Sequence, residues 1–301
     1  MGPDTELSER GRIHQEIRRL IGATVKDDEI DEVLDKFSKD RNGFLSTSEA
    51  DFVRRTVINP LSNFKVALVV VDYQNDFVSG SLSIKVLFKV QQLKHYKRGS
   101  RKCAILFQDW HPSNHISFYE HSRNSDRKLH SEDKVRKLRP FDIVRFEIPD
   151  TIQVLYPAHC VQGSWGAELH PQLVLAEGAK YIKKGTDVMV DSYSAFRDND
   201  GEKKSELEDF LRSKGVSVVL ACGLAYDICV MHTLKDANNL GFLSAIVTDC
   251  SKGISSEKIA EAQRFFIQKG VALLEMKEAR EVIRRNSVPF EWVRWLALNA
   301  K

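Results

Sequence analysis

Six polar side chains spread over 158 positions carry the chemistry this sequence can do. Cys229 follows a glycine-containing strand-to-helix turn, Cys222-Gly223-Leu224-Ala225-Tyr226-Asp227-Ile228, and precedes the helical pattern Val230-Met231-His232-Thr233-Leu234. A thiol in a first helical turn meets unpaired amides and the positive end of the helix dipole, which favour a nucleophilic thiolate. Asp72, closing an apolar run, can accept the thiol proton, and Lys184 can orient both charges. The backbone amides of Ala225 and Cys229 lie in the same turn and could form an oxyanion hole. Of the other four thiols, Cys103, Cys222 and Cys250 read as inert core residues.

Asp109 and His111 form a second constellation. They alternate by two, so an extended chain sends both side chains from one face toward one ion. His159, in Tyr156-Pro157-Ala158-His159-Cys160, is a candidate third ligand. Mixed nitrogen and oxygen donors suit zinc or another divalent transition metal, with positions left open for water or substrate. His115 reads as a ligand, a supporting group or a cap, with the non-ligand roles favoured.

The elements that must position these groups are legible. Val66-Ala67-Leu68-Val69-Val70-Val71 is a continuous apolar run of the kind buried on both faces of a parallel sheet. Similar runs recur at 103–107, 180–182, 216–221, 243–247 and 271–274, with helical patterns over 203–214, 228–239 and 257–269 between the later ones. This alternation predicts a three-layer α/β/α fold with a mostly parallel sheet. Asp72, Asp109, Lys184 and the Cys229 turn then all fall at C-terminal strand ends, the edge where such sheets bind ligands. The charged stretch 119–150 reads as an excursion over the surface. The tail, 278–300, reads as an amphipathic helix with Trp292 and Trp295 on its apolar side, packed on the sheet or on the N-terminal segment.

That N-terminal segment differs in character. Up to residue 62 it is polar, slightly acidic and helical in period, and the composition changes at Asn59-Pro60, a turn signal. The boundaries expected are therefore 1–62 for a small all-α domain and 63–301 for the α/β domain with its tail. Residues 38–49 match the twelve-position calcium loop of an EF-hand. Ser38 stands at position 1, Asp40 at 3, Asn42 at 5, Gly43 at 6, Phe44 at 7 through its carbonyl, Leu45 at 8 and Glu49 at 12. A Ser hydroxyl in place of the usual Asp is a weaker ligand, so calcium affinity should fall. EF-hands usually pair, so either a degenerate partner occupies residues 7–34 or the α/β domain supplies the missing surface.

Composition excludes several classes. With 301 residues, 42% hydrophobic and 29% charged, the chain buries a core without staples, and no apolar run reaches membrane-spanning length. A net charge of +3 is too mild to argue for nucleic acid or an anionic membrane. An odd count of five cysteines, behind a start without a signal-peptide core, predicts reduced thiols and a cytoplasmic setting. A homo-oligomer is compatible with the sequence.

The segments VVDYQNDF (70–77), QDWHPSNHISF (108–118), YPAHCVQGSWGAELH (156–170), KGTD (184–187), DSYSAF (191–196) and CGLAYDICV (222–230) occur in order. Over about 64–275 the chain thereby resembles the cysteine-hydrolase family that contains isochorismatases and nicotinamidases, and it is most similar to the animal nicotinamidases that carry an N-terminal EF-hand. The resemblance implies a triad of Asp72, Lys184 and Cys229, metal ligands Asp109, His111 and His159, and a cis peptide joining Leu224 to Ala225. It also implies an aromatic pocket at Phe77, Tyr156 and Tyr193. The implied activity is hydrolysis of nicotinamide to nicotinate and ammonia through a thioester, in NAD salvage, with pyrazinamide as an analogue. Two departures stand out. Tyr156 replaces the usual Trp beside the metal-binding His, which should alter the Michaelis constant more than the chemistry. Residues 83–98 lack the Gly/Pro turn into the first crossover helix, which should weaken its packing. A calcium-responsive binding protein on a decayed hydrolase would have lost a triad or ligand position, and all six are present; a related amidohydrolase for another small carboxamide would be separated by its metal dependence.

Overall fold

The computed structural model describes residues 7–22, 24–39, 43–84, 102–174 and 178–301. Nearly all of the atypical 83–98 segment lies outside these residues, as do Asp40 and Asn42 of the candidate calcium loop.

Helices α1 (Glu9–Leu20), α2 (Asp27–Leu34) and α3 (Thr47–Val53) open the chain. Ser8 caps α1 by accepting from the Gly11 amide, and the helix buries Ile13 and Ile17, one turn apart. From α3 the helix continues through a π turn at Arg54–Ile58 into α4 (Asn59–Ser62). Asn59-Pro60 is therefore not a turn: the helix widens just before the proline, an adjustment that a missing donor and a bulky ring permit. The chain leaves the helix at Asn63 and enters β1 (Val66–Val71), followed by the short α5 (Asn75–Val78) and β2 (Lys102–Asp109).

Residues 119–150 form more than a surface excursion. Strands β3 (Lys128–Leu129), β4 (Ile143–Ile148) and β5 (Asp150–Val154), with α6 (Ser131–Val135) between the first two, make a separate antiparallel sheet. Alternation along β4 turns Val144 and Phe146 into a satellite core with Ile116, Leu129, Leu138 and Leu155. The high charge of the segment hid that small apolar set.

The main sheet resumes with β6 (Lys180–Lys184), then α7 (Leu207–Ser213), β7 (Val218–Leu224), a π turn at Tyr226–Val230, α8 (Met231–Asn239), β8 (Leu243–Lys252), α9 (Ser256–Lys269) and β9 (Ala272–Leu274). Its order is β6-β2-β1-β7-β8-β9, every pair parallel. Along β1 the pleat sends Ala67, Val69 and Val71 into a layer with residues of α7, α8 and α9. It sends Val66, Leu68 and Val70 into the opposite layer, with the N-terminal helices and the tail. The fold is the expected three-layer α/β/α arrangement.

The tail is two helices, α10 (Met276–Arg284) and α11 (Phe290–Asn299): the first ends where Arg285 turns into the left-handed region, φ 65°, and Pro289 stands at the N-cap of the second. Between them Val288 bridges to Ile21, its amide donating to the Leu20 carbonyl at 2.7 Å. Trp292 is fully buried, donates from Nε1 to the Ser244 carbonyl at 2.9 Å and meets Phe64 edge-on. Arg294 pairs with Glu29 at 2.7 Å. The α/β chain's own tail thus supplies the surface on which the N-terminal helices bury their apolar faces.

Candidate functional site

Four neighbouring strands, β6, β2, β1 and β7, end in the residues singled out above. The chain goes from β1 outward through β2 to β6 and returns to the far side of β1 as β7, so the topological switch lies between β1 and β7. Asp72 and the Cys229 turn flank that switch.

Asp72 follows β1 in the left-handed region, φ 51°, held by its amide on the Phe107 carbonyl at 3.1 Å and by its carbonyl on the Gln74 amide at 2.9 Å. An L-residue there is strained, and such strain persists where surrounding contacts over-determine it. Lys184 Nζ lies 2.9 Å from Asp72 Oδ2 and 3.4 Å from Cys229 Sγ, contacts Asp109 Oδ1, and donates to the Ser192 carbonyl at 3.1 Å. One buried ammonium therefore bridges two carboxylates and faces the thiol. Leu224 and Ala225 are joined by a cis peptide, as the resemblance implied, and Ala225 and Cys229 both line the pocket.

The electrostatics differ from the expectation of a depressed thiol. Burial pushes Cys229 well above the ordinary thiol range, and Lys184 does not offset it. Burial, then the charge of Asp109, raises Asp72, while Lys184 and the Cys229 hydrogen bond pull it back. The resting pair is a neutral thiol beside a carboxylate of increased basicity. For Asp109, burial alone would raise the carboxyl, but Lys184, His111 and His159 together outweigh it and hold the carboxylate ionised. Lys184 is raised in turn: its two carboxylates outweigh the loss of solvent.

Beyond β2, His111 stays extended through a bridge to Val161, donating its amide to Cys160 and accepting from Gln162. That bridge brings His159 beside it. Nδ1 of His111 lies 2.9 Å from the Gly185 carbonyl and Nδ1 of His159 lies 2.8 Å from the Pro157 carbonyl. A carbonyl can only accept, so each Nδ1 carries the proton and each Nε2 presents a lone pair. Those Nε2 atoms sit 3.6 and 3.9 Å from Asp109 Oδ2. The three donor atoms lie within 4.8 Å of one another, and all three residues are buried. Burial also favours the neutral, ligating form of His159. The donor set fits zinc or a similar divalent ion. His115 stacks on His111 with 4.2 Å between centroids, and its nitrogens face Ser117 Oγ and the Val190 carbonyl; with His111 and Asp191 it also forms a second group of donor atoms within 4.8 Å of one another.

Asp109, His111, His159 and Cys229 line one pocket together with Phe77, Tyr156 and Tyr193. His159 sits between Phe77 and Tyr156, at 5.4 and 5.8 Å between centroids. Tyr156 and Tyr193 are hydrogen-bonded through their hydroxyls. Sequence reasoning missed several contributors. Gln74 clamps the Asp109 backbone from both sides, Nε2 donating to its carbonyl at 2.7 Å and Oε1 accepting from its amide at 2.8 Å. Ser192 offers its carbonyl to Lys184, and Asp191 lines the pocket while accepting from Gln153 at 2.8 Å. Only the match of DSYSAF pointed there, because a backbone carbonyl leaves no trace in residue type.

The candidate calcium loop places its groups differently. Glu49 accepts from the Lys39 amide at 2.9 Å and from the Ser46 amide and hydroxyl at 2.8 Å, closing a capping box on α3. The Lys39 amide and then those of Ser46 hold its carboxyl down at about 2. Ser38 is buried and Phe44 is exposed.

Residues 66–278 match the isochorismatase domain. The nicotinamidase of Acinetobacter baylyi is 35% identical over 189 residues, 62% of this chain and 81% of the relative. That of Escherichia coli is 34% identical over 204 residues, 66% of this chain and 88% of the relative. A solved nicotinamidase pyrazinamidase of Acinetobacter baumanii superposes with a TM-score of 0.61 at 32% identity, covering 72% of this chain and 99% of its own.

Proposed function

The chain belongs to the isochorismatase family, and from that membership we propose that it is a nicotinamidase, hydrolysing nicotinamide to nicotinate and ammonia in NAD salvage, with pyrazinamide as an analogue substrate. The observation that carries the reading is one pocket lined by Cys229, Asp109, His111 and His159, with Asp72 and Lys184 directly behind the sulfur. Purified protein should release ammonia from nicotinamide and from pyrazinamide. Absence of release from both, with metal supplied, would overturn it.

Asp72, Lys184 and Cys229 are assigned as the triad. Because the thiol is neutral at rest, Asp72 takes its proton as the sulfur attacks the carboxamide carbon, and Lys184 steadies the carboxylate and the developing thiolate. The Ala225 and Cys229 amides hold the oxyanion. Asp72 returns the proton to the departing ammonia, leaving a thioester on Cys229. It then takes a proton from an attacking water, and collapse releases nicotinate and the thiol. Asp109, His111 and His159 are assigned as ligands of zinc or another divalent transition ion, which supplies a Lewis-acid anchor for the ring nitrogen. Phe77, Tyr156 and Tyr193 are assigned as ring-binding walls. Zinc accompanies a related solved pyrazinamidase of Pyrococcus horikoshii, which is 29% identical with a TM-score of 0.54.

Gly185 supports this metal assignment. It adopts φ +64°, and a methyl there would run into the His111 ring that its own carbonyl orients. Gly185→Ala should therefore lower zinc affinity about 10–100-fold, read by competition with a chelating dye.

Residues 1–62 are assigned as an EF-hand-like domain of the animal-nicotinamidase type and 63–301 as the catalytic domain. Calcium is assigned to the loop 38–49, through Ser38, Asp40, Asn42, Phe44 and Glu49, at reduced affinity. Glu49 must leave its capping box to ligate, and Ser38 brings no charge. Calorimetry should give a dissociation constant weaker than about 10⁻⁵ M; tighter binding would overturn the reduced affinity. No described helix is long and apolar enough to cross a membrane, and the setting proposed is cytoplasmic.

A further inference from the structure

The β8–α9 connection has no part in the chemistry above, yet it reaches the pocket. Ile254 lines the pocket while 46% exposed, as a rim residue does. Asp227 holds it there: Oδ1 accepts from the Ile254 amide at 3.0 Å and Oδ2 from the Ser255 amide at 2.9 Å. Both are hydrogen bonds to a charged acceptor, the stronger class. Asp227 is buried and stands two residues before Cys229 in the π turn at Tyr226–Val230. Gly253 permits the approach, since a methyl there would collide with the Asp227 carboxylate. On the other side Ser255 caps α9, its hydroxyl accepting from the Lys258 amide. The connection is thus pinned to the nucleophile turn at one end and to a helix at the other.

We propose that Asp227 is a positioning residue that ties the nucleophile turn to the β8–α9 connection, so that Ile254 and Ile228 form a fixed apolar rim for a planar heteroaromatic carboxamide. Ile228 lines the same pocket from the turn itself. The inference rests on the nicotinamidase reading for its substrate, but the clamp is a property of the chain. A rim touches the ring equally in the ground and transition states, so its loss acts on binding rather than on turnover.

The test combines amide exchange with kinetics in Asp227→Asn, which keeps the shape of the side chain and turns an NH2 group toward a backbone N–H. Exchange at Ile254 and Ser255 should accelerate, and KM for nicotinamide should rise about tenfold with kcat within about threefold of the parent. Ile254→Ala should reproduce the KM rise, and combining it with Asp227→Asn should add nothing further. A fall in kcat at constant KM, additive effects on KM, or unchanged exchange would each overturn the proposal. If the parent protein turns over no nicotinamide, the substrate reading fails separately and exchange alone decides the clamp.

Discussion

Cys229→Ala is expected to lower ammonia release from nicotinamide by about 10⁴-fold or more while leaving the metal content unchanged. The pocket's other hydroxyl nucleophile among the described residues, Ser192, is engaged elsewhere, its Oγ donating to the Asp198 carboxylate. The sulfur is not one of the three assigned ligands Asp109, His111 and His159, so zinc should stay. Because burial keeps the thiol protonated and Asp72 must collect its proton, Asp72→Asn should cost nearly as much. The double variant should be no worse than Cys229→Ala, since the two act as one unit. Retained turnover in Cys229→Ala would sink the thioester mechanism.

Metal removal should have the next largest effect. Chelation, or His159→Ala, is expected to bring bound zinc to background and kcat/KM down by about 10³-fold, with readded zinc restoring the chelated parent but not the variant. The chelated protein should remain folded, because Lys184 still neutralises Asp109 and both imidazoles keep their carbonyl partners. The loss should therefore appear in zinc content and kinetics without a change in circular dichroism. Full activity in metal-free protein would remove Asp109, His111 and His159 from the mechanism and favour a metal-independent amidohydrolase.

Strands β1 and β7 were the most legible, because each is a run of apolar residues buried on both faces, a pattern with few alternative explanations, whereas β6 has Ile182 as its one buried apolar residue between lysines. The antiparallel unit at 119–150 was not, because its inward residues, such as Val144 and Phe146, alternate with charged ones that dominate any composition window. The tail misled in a different way: helical periodicity carries across Pro289, and only the pairing of Val288 with Ile21 shows why the chain breaks there. Asn59-Pro60 failed for the converse reason, since a helix can widen ahead of a proline when packing on both sides holds it.

By itself the sequence determined the residue types of the candidate site and the strand ends on which they fall, since both follow from local pattern and the parallel order of βα units. What the tertiary structure alone decided is their electrostatic state. The helix-start position of Cys229 argued for a thiolate, but desolvation depends on everything packed around the sulfur, and here it outweighs the local field. The same holds for the tautomers of His111 and His159, set by the carbonyls of Gly185 and Pro157, and for the Asp227 clamp on Ile254, 27 residues away. Burial and backbone partners are sums over distant segments, which no window of sequence contains.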